Sequence, residues 1–365
     1  MTHERDAHWM RRALRLAARG RGSTSPNPMV GAVVVKRGRL VGEGYHRKLG
    51  GPHAEVHAIS AAGTAARGAT LYVTLEPCCH YGRTPPCTDA IIEAGLSRVV
   101  AACLDPFPQV NGRGVRALRA AGVAVDVGVL EDEARQLNEP YFKHTTTGLP
   151  WVTLKAALSL DGKIATEAGE SKWITGERAR TEAHRLRAVH DAVLVGVGTV
   201  LADDPRLTCR KVRGSCPLRA IVDSRARTPA TAAVLTADKR PPVIAVTRRA
   251  PARRVRRLKR AGAEVWTVAS QGGRVHLKTF LGRLGKRGVQ SVLLEGGGTV
   301  AAAALADGLV DRVYFFVAPR IIGGAQAPTP VGGEGVARLA DAWPVSSVRV
   351  RRLGGDLLIT GDIEN

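Results

Sequence analysis

Residues that bind metals and move protons crowd into two short stretches. "PHAEVHAI" (52–59) holds His53, Glu55 and His57, and "EPCCHYGRTPPC" (76–87) holds Cys78, Cys79, His80 and Cys87. Zinc takes borderline and soft ligands in a tetrahedron, and a hydrolytic zinc keeps one position for water. A histidine with two thiolates would fill the remaining positions. Glu55, two residues beyond His53, is placed to shuttle a proton between that water and a leaving amine. H-x-E followed by P-C and a later Cys is the zinc-deaminase order, except that eight residues rather than two separate Cys78 from Cys87. His53 and His57 also share the i, i+4 spacing of a metalloprotease helix. That motif needs Glu beside its first His, and Ala54 stands there.

The elements that must position these groups follow from periodicity. Residues 6–19 place Trp9, Met10, Ala13, Leu14 and Ala17 at helical spacing, and 30–46 predicts a hairpin turning at Arg37-Gly38. A helix is expected from His53, a strand over 70–76 and a helix from Thr88. A strand over 98–104, a helix over 113–121 and a strand over 123–129 follow. Cys78, after Pro77, falls where a helix could begin, and a helix dipole there would favour its thiolate. This alternation predicts an α/β domain with a mixed sheet.

"NEPYFKHTTTGLPW" (138–151) interrupts the rhythm with Pro, Gly and three threonines, which sets a boundary at residue 146 and domains of 1–146 and 147–365. Beyond it, strand signals recur from 152, at 192–198, 219–224, 242–247, 263–268, 291–297, 312–319 and 356–361. "SVLLEGGGTVAAAAL" (291–305) runs a strand through three glycines into a helix, so backbone amides there can cradle a pyrophosphate. "VGVGTVL" (195–201) lacks the third glycine of a dinucleotide fingerprint.

The bulk numbers bound the rest. A chain of 365 residues with 44% hydrophobic content can build two cores. No apolar run suffices to span a membrane, and the charged N-terminal stretch lacks a signal-peptide core, so a cytoplasmic protein is expected. Six cysteines are too few for a disulfide scaffold; the cluster reads as metal binding, and Cys103, Cys209 and Cys216 as inert small residues. The net charge of +22 is compatible with anionic substrates. The dense run "RRAPARRVRRLKR" (248–260) reads as a solvated amphipathic helix with Val255 and Leu258 inward.

"SPNPMVGAVVV", "GEGYH", "PHAEVHA", "VTLEPCCHYGRTPPC" and "DPFPQVNGRG" together resemble the bifunctional riboflavin-biosynthesis deaminase/reductase family, over essentially the whole chain. The wide cysteine gap is that family's own pattern. The resemblance implies a cytidine-deaminase-like α/β/α N-terminal domain and a dihydrofolate-reductase-like α/β C-terminal domain. It implies zinc on His53, Cys78 and Cys87, with Glu55 catalytic and Cys79 a passenger. Asn27, His46, His80, Arg83 and Asp105 match substrate positions. One departure stands out: the family's D-P-N-P reads Asp105-Pro106-Phe107-Pro108 here. A phenylalanine cannot make the asparagine's hydrogen bonds, so that contact is dispensable or passes to Asn111 or a water.

In the second half, "LKAALSLDGKIA" (154–165), "GESKWIT" (169–175) and "GTVLADDPRLTCR" (198–210) resemble the family's NADPH-dependent reductase. The resemblance implies Lys155, Asp203 and Glu295 around the ribose and the hydride path. Ser171, Arg187, Leu207, Arg210 and Glu295 match substrate positions, the two arginines suiting a phosphate. Ala157, Trp173, Thr199, Asp203, Ser224, Gly297, Gly298, Thr299, Val300, Ala301, Ala302 and Ala303 match cofactor positions, and Arg225 would meet the 2′-phosphate of NADPH.

The expected protein is a homo-oligomeric two-step enzyme acting on a phosphorylated pyrimidine nucleotide, with zinc and NADPH as cofactors and neither nucleic acid nor membrane as partner. A nucleic-acid base deaminase shares the zinc chemistry, but only 4% of residues are aromatic and available for base stacking. A protein with a merely structural zinc would show a fourth protein ligand, such as His80.

Overall fold

A computed structural model describes residues 2–82 and 85–364, and the chain divides into two compact units, 1–148 and 149–365. In the first, strands β1 (Gly31–Lys36), β2 (Arg39–Tyr45), β3 (Thr70–Val73), β4 (Arg98–Ala101) and β5 (Ala124–Val127) form one sheet in the order β2-β1-β3-β4-β5. β1 runs antiparallel to β2 and β3, while β3, β4 and β5 are parallel, so the sheet is mixed. Helices α1 (Thr2–Ala17), α2 (Ala54–Ala62), α3 (Cys87–Glu93), α4 (Arg113–Ala120), α5 (Glu131–Leu137) and α6 (Glu139–Thr147) accompany it.

Side chains alternate across a strand, and the two faces of β1 show it. Ala32 and Val34 pack with Ala54, Ala58, Ile91, Val115 and Leu118 of α2, α3 and α4. Val33 and Val35 pack with Met10, Ala13 and Leu16 of α1 and Ala134 of α5. The result is a three-layer α/β/α unit.

The segment 138–151, expected as an irregular interruption, contains α6. Pro140 sits in its first turn, where a missing N–H costs nothing, and Gly148 ends it at φ 72°. Pro and Gly punctuate a short helix here.

The second unit is built on a sheet in the order β10-β9-β8-β7-β13-β6-β14-β16-β15. Its strands are β6 (Trp151–Ser159), β7 (Ala192–Gly196), β8 (Leu218–Val222), β9 (Val243–Val246), β10 (Glu264–Thr267), β13 (Ser291–Glu295), β14 (Arg312–Ala318), β15 (Val345–Leu353) and β16 (Asp356–Ile363); β11 (Ser270–Gln271) and β12 (Arg274–Val275) form a separate hairpin. β10 through β14 in that order run parallel, and β16 and β15 close the edge antiparallel. The helices are α7 (Glu177–Val189), α8 (Val197–Asp203), α9 (Ala233–Thr236), α10 (Ala252–Arg260), α11 (Leu277–Lys286) and α12 (Gly298–Ala306). In α10, Leu258 is fully buried and Val255 packs beside it, with the arginines on the outer face. No helix among the described residues is long and apolar enough to cross a membrane.

Candidate active sites

His53 immediately precedes α2, and Glu55 lies in that helix's first turn. α2 reaches this position by lying directly on β2. A Cβ on Gly42 would strike the Ala58 carbonyl and one on Gly44 the His57 side chain, so the glycines of "GEGYH" permit the close approach. His46, just after β2, ties down the entry. Its Nδ1 is 3.1 Å from the Pro52 carbonyl and its Nε2 is 3.3 Å from Asn27 Nδ2. A neutral ring donating from Nδ1 and accepting at Nε2 satisfies both contacts, and burial pushes its pKa down, favouring that form.

The cysteine segment meets α2 differently from expectation. No helix begins at Cys78; α3 begins at Cys87, after Pro86. The loop folds back so that the Cys87 backbone N–H, at the helix N-terminus, donates to Cys78 Sγ at 3.3 Å. Cys78 thus receives a helix-terminal amide without belonging to the helix. His53 Nδ1 lies 3.2 Å from Cys87 Sγ and 3.5 Å from Cys78 Sγ, and the three ligand atoms all lie within 4.8 Å of one another. The Cys87 thiol and amide, with His53, pull the Cys78 thiol down to about 4, whereas Cys87, facing that thiolate, is pushed up. The pair therefore shares one proton, which a cation would displace.

Among the described residues no fourth His, Cys, Asp or Glu joins this group. Cys79 points elsewhere, its Sγ 3.8 Å from the Gln109 carbonyl. Glu55 is 3% exposed, and its Oε2 is buried without a hydrogen-bond partner among the described residues. Burial, then the Cys78 thiolate, pushes its pKa up to about 7. A buried, unsatisfied polar atom costs about 1–3 kcal/mol, more if charged, which a purely structural carboxylate would have no reason to bear. One nitrogen, two sulfurs and a buried carboxylate with one oxygen unpartnered suit a zinc ion with an open position.

Three residues not singled out in the sequence hold the surrounding loop. Glu76 is buried and accepts from the backbone N–H groups of Asp105 (3.2 Å), Gly112 (2.9 Å) and Val115 (3.0 Å). Gly114 lies so close that a Cβ would strike the Pro77 carbonyl. Tyr141 of α6 donates to Asp105 Oδ1 at 2.7 Å, and the Phe107 amide donates to the same oxygen at 2.9 Å. Asp105 thus braces its own loop. The Phe107 ring lies 5.7 Å from that of His80, whose Nδ1 is buried without a partner among the described residues, while Asn111 is exposed. Arg83 lies outside the described residues. Glu76 was signalled in the sequence only by its position between an apolar strand and Pro77.

In the second unit the implied residues gather at the carboxyl ends of neighbouring parallel strands, the usual ligand-binding edge of such sheets. Ala157 lies near the end of β6, Glu295 ends β13, Thr199 and Asp203 follow β7 on α8, and Ser224 follows β8. Register sets the central pair: Lys155 and Glu295 are direct neighbours on β6 and β13, with Nζ 3.9 Å from Oε2. Arg187, from α7, grips Glu295 with two N–H groups at 2.5 and 2.7 Å and donates a third to the Thr208 carbonyl at 3.1 Å. Burial alone would raise the Glu295 pKa, but Arg187 and Lys155 outweigh it and hold the carboxyl at about 2. Burial lowers the pKa of Lys155.

Arg187 therefore keeps only part of its fork for a substrate. Arg210 is exposed and forms no ion pair among the described residues. Leu207 is buried at φ 54°. His184, one turn before Arg187, is 6% exposed with Nδ1 unpartnered, and burial followed by Arg187 lowers its pKa to about 4. Its spacing of three from Arg187 was the only sequence clue.

Ser171 Oγ donates to Asp203 Oδ1 at 2.8 Å, and Trp173 is exposed beneath the Arg180 guanidinium, 4.8 Å from the ring centroid. Gly296 and Gly297 turn at φ 77° and 83° against Thr199, so a Cβ on either would stand 3.2 or 3.4 Å from its Oγ1. This leaves the start of α12, with Gly298 and Thr299, as a backbone-lined cradle fit for a pyrophosphate. A Cβ on Gly298 would instead meet the Thr329 carbonyl at 2.7 Å, so that glycine also admits a neighbouring loop. Val300, Ala301 and Ala303 pack on the core, and Ala302 is half-buried. Ser224 accepts from the Val275 amide at 3.0 Å, and Arg225 is exposed beside it. Cys209 and Cys216, read as scattered, are brought together with sulfurs 3.1 Å apart.

These two sites agree with what the chain resembles. The cytidine and deoxycytidylate deaminase zinc-binding region family matches residues 3–103, and the RibD C-terminal domain family matches residues 150–359. The riboflavin biosynthesis protein RibD of Bacillus amyloliquefaciens is 45% identical over 356 residues, covering 97% of this chain and 95% of that protein. RibD of Aquifex aeolicus is 46% identical over 360 residues, covering 98% and 99%. The solved structure of Acinetobacter baumannii RibD (form 1) has a TM-score of 0.89 at 40% identity, covering all of both chains. With near-complete coverage in sequence and structure, this chain belongs to the RibD family of riboflavin biosynthesis proteins.

Proposed function

We propose that the first unit hydrolytically deaminates a diaminopyrimidinone ribosyl phosphate at His53, Glu55, Cys78 and Cys87, and that the second reduces the ribosyl group of the product. A similar protein from Thermotoga maritima, 37% identical with a TM-score of 0.84, is described as a diaminohydroxyphosphoribosylaminopyrimidine deaminase and 5-amino-6-(5-phosphoribosylamino)uracil reductase. The observation that carries the reading is the His53–Cys78–Cys87 triangle with the buried Glu55 carboxylate beside it, whose Oε2 has no partner among the described residues.

Zinc, held by these three side chains, supplies the Lewis acidity that makes water nucleophilic near neutral pH. Glu55, buried beside the three ligand side chains, can take a proton from the attacking water and deliver it to the departing amine. His46, fixed between Pro52 and Asn27, and His80, whose Nδ1 has no partner among the described residues, offer polar contacts to the ring and its substituents. Phe107 leaves the side-chain contact of an asparagine unmade.

NADPH supplies the hydride for the second reaction. Lys155, buried and made more acidic by burial, can supply the accompanying proton, and Glu295 holds its ammonium in place. Arg210, with the uncommitted part of Arg187, offers charge for the substrate phosphate. The cradle at Gly297 to Thr299 would hold the cofactor pyrophosphate, and Ser224 and Arg225 would meet its 2′-phosphate. The enzyme works as a homo-oligomer in the cytoplasm. Incubating the zinc-loaded protein with the diaminopyrimidine nucleotide, with and without NADPH, and weighing the products tests both steps. Ammonia and the ribosyl uracil without NADPH, and the ribityl compound with it, are expected. Reduction without prior deamination would contradict the order.

A further inference from the structure

We propose that Cys209 and Cys216 form a redox-active dithiol, and that a disulfide between them, formed by exchange with a small-molecule disulfide such as oxidised glutathione, lowers the reductase activity. The activity half of this proposal rests on reading the second unit as a reductase. The two residues lie in the irregular segment between α8 and β8, which no helix or strand holds rigid. Their sulfurs are 3.1 Å apart, and the Cys209 amide points at Cys216 Sγ at 3.4 Å. A disulfide needs about 2.05 Å, so closure asks the loop for only about an ångström of movement.

The arrangement is unlike that of two small core residues. Cys209 is 3% exposed, but Cys216 is partly open to solvent. Nor is it half of a metal site, since among the described residues no third His, Cys, Asp or Glu ligand joins the pair. Cys209 is shut away from solvent, so the more open Cys216 is the thiol that meets the oxidant. Its thiolate attacks one sulfur of the small disulfide, forming a mixed disulfide and releasing one thiolate. Cys209 then gives up its proton and attacks the Cys216 sulfur, expelling the second thiol. Two protein thiols are oxidised and one disulfide is reduced to two thiols.

The consequence for the reductase follows from what the loop touches. The residue before Cys209 is Thr208, whose carbonyl accepts from Arg187, and Arg187 grips Glu295. The residue after it is Arg210. On the far side, Gly214 lies against α7, where a Cβ would stand 2.9 Å from the Cβ of Ala188, the neighbour of Arg187. Drawing the sulfurs together moves this frame against the arginines that face the substrate, whereas the deaminase residues lie in the other unit.

The full-length, zinc-loaded protein, equilibrated in glutathione buffers of rising oxidised fraction and quenched with an alkylating agent, tests this. Peptide mass should show residues 209–216 unalkylated and lighter by two hydrogens. NADPH oxidation on deaminated substrate should fall about tenfold or more, as a misplacement of this size allows, and return with dithiothreitol. Ammonia release and zinc content should hold. The Cys216→Ser variant should keep its reductase rate in every buffer. Full alkylation of both thiols in the most oxidised buffer would overturn the dithiol. A disulfide that leaves the reductase rate unchanged, or a Cys216→Ser variant inhibited like the parent, would overturn its control of activity. A reduced parent that oxidises no NADPH would overturn the reductase reading, and the alkylation pattern, which needs no activity, would then decide the dithiol alone.

Discussion

At the scale of single residues, the proposed deaminase site is an exercise in leaving one position unfilled. His53, Cys78 and Cys87 converge without a fourth protein ligand among the described residues, and Glu55 is buried beside them without a partner for Oε2. Metal content should therefore follow Cys78 and not its neighbour. Cys79→Ser is expected to retain about one zinc per chain, and Cys78→Ser to lose most of it, as read by elemental analysis after dialysis. Zinc stripped by Cys79→Ser would contradict the assignment. In the second unit, Glu295 has its pKa depressed to about 2 against an ordinary 4.5 because Arg187 and Lys155 outweigh its burial. A depressed carboxyl stabilises the fold above its unfolded pKa and loses that contribution as pH falls toward the folded value. The stability gap between the parent and Glu295→Gln should be widest above pH 4.5 and should narrow toward pH 2, by something on the order of 3 kcal/mol. Denaturant titrations across that range check it, and a constant gap would contradict the pairing.

At the scale of elements, what positions the chemistry is close approach and register. α2 carries His53 and Glu55 because Gly42 and Gly44 let it lie on β2, and Lys155 meets Glu295 because β6 and β13 are neighbours in register. The cysteine loop is held at Glu76 and Gly114. Gly114→Ala drives a methyl into the Pro77 carbonyl and should cost about 1–3 kcal/mol, with weaker zinc retention. Thermal unfolding and metal content report it; an unchanged Tm and full zinc would mean that α4 does not brace the loop. Much of this was legible beforehand, since apolar periodicity marks buried helices and central strands. β15 was not: "VSSVRVRRL" alternates Val with Arg on an edge strand exposed on both faces, so no buried face writes a pattern. The start of α3 was legible to within a residue, expected from Thr88 and found at Cys87, whereas the helix start that Pro77 offered at Cys78 is not used, and only the folded loop shows that the Cys87 amide serves Cys78. Cys209 and Cys216 look inert until the turn between them closes.

At the scale of the whole molecule, two compact units with separate cores carry two unlike chemistries on one chain. The surplus of 54 Lys and Arg over 32 Asp and Glu suits phosphorylated substrates, and several of the arginines are committed internally, as Arg187 to Glu295 and Arg98 to Asp6. The family motifs identified the chemistry because its groups must recur in fixed order. Which arginine faces a phosphate stayed hidden, because side-chain pairing is decided by the fold. The central claim is that the two reactions use two independent sites, and Glu55→Gln tests it most directly. Ammonia release from the diamino substrate and NADPH oxidation on deaminated substrate are measured separately on the folded, zinc-loaded variant. Deamination should fall by about 10²–10⁴-fold while reduction continues at nearly the parent rate. Loss of both activities in a protein that keeps its fold and its zinc would contradict the account.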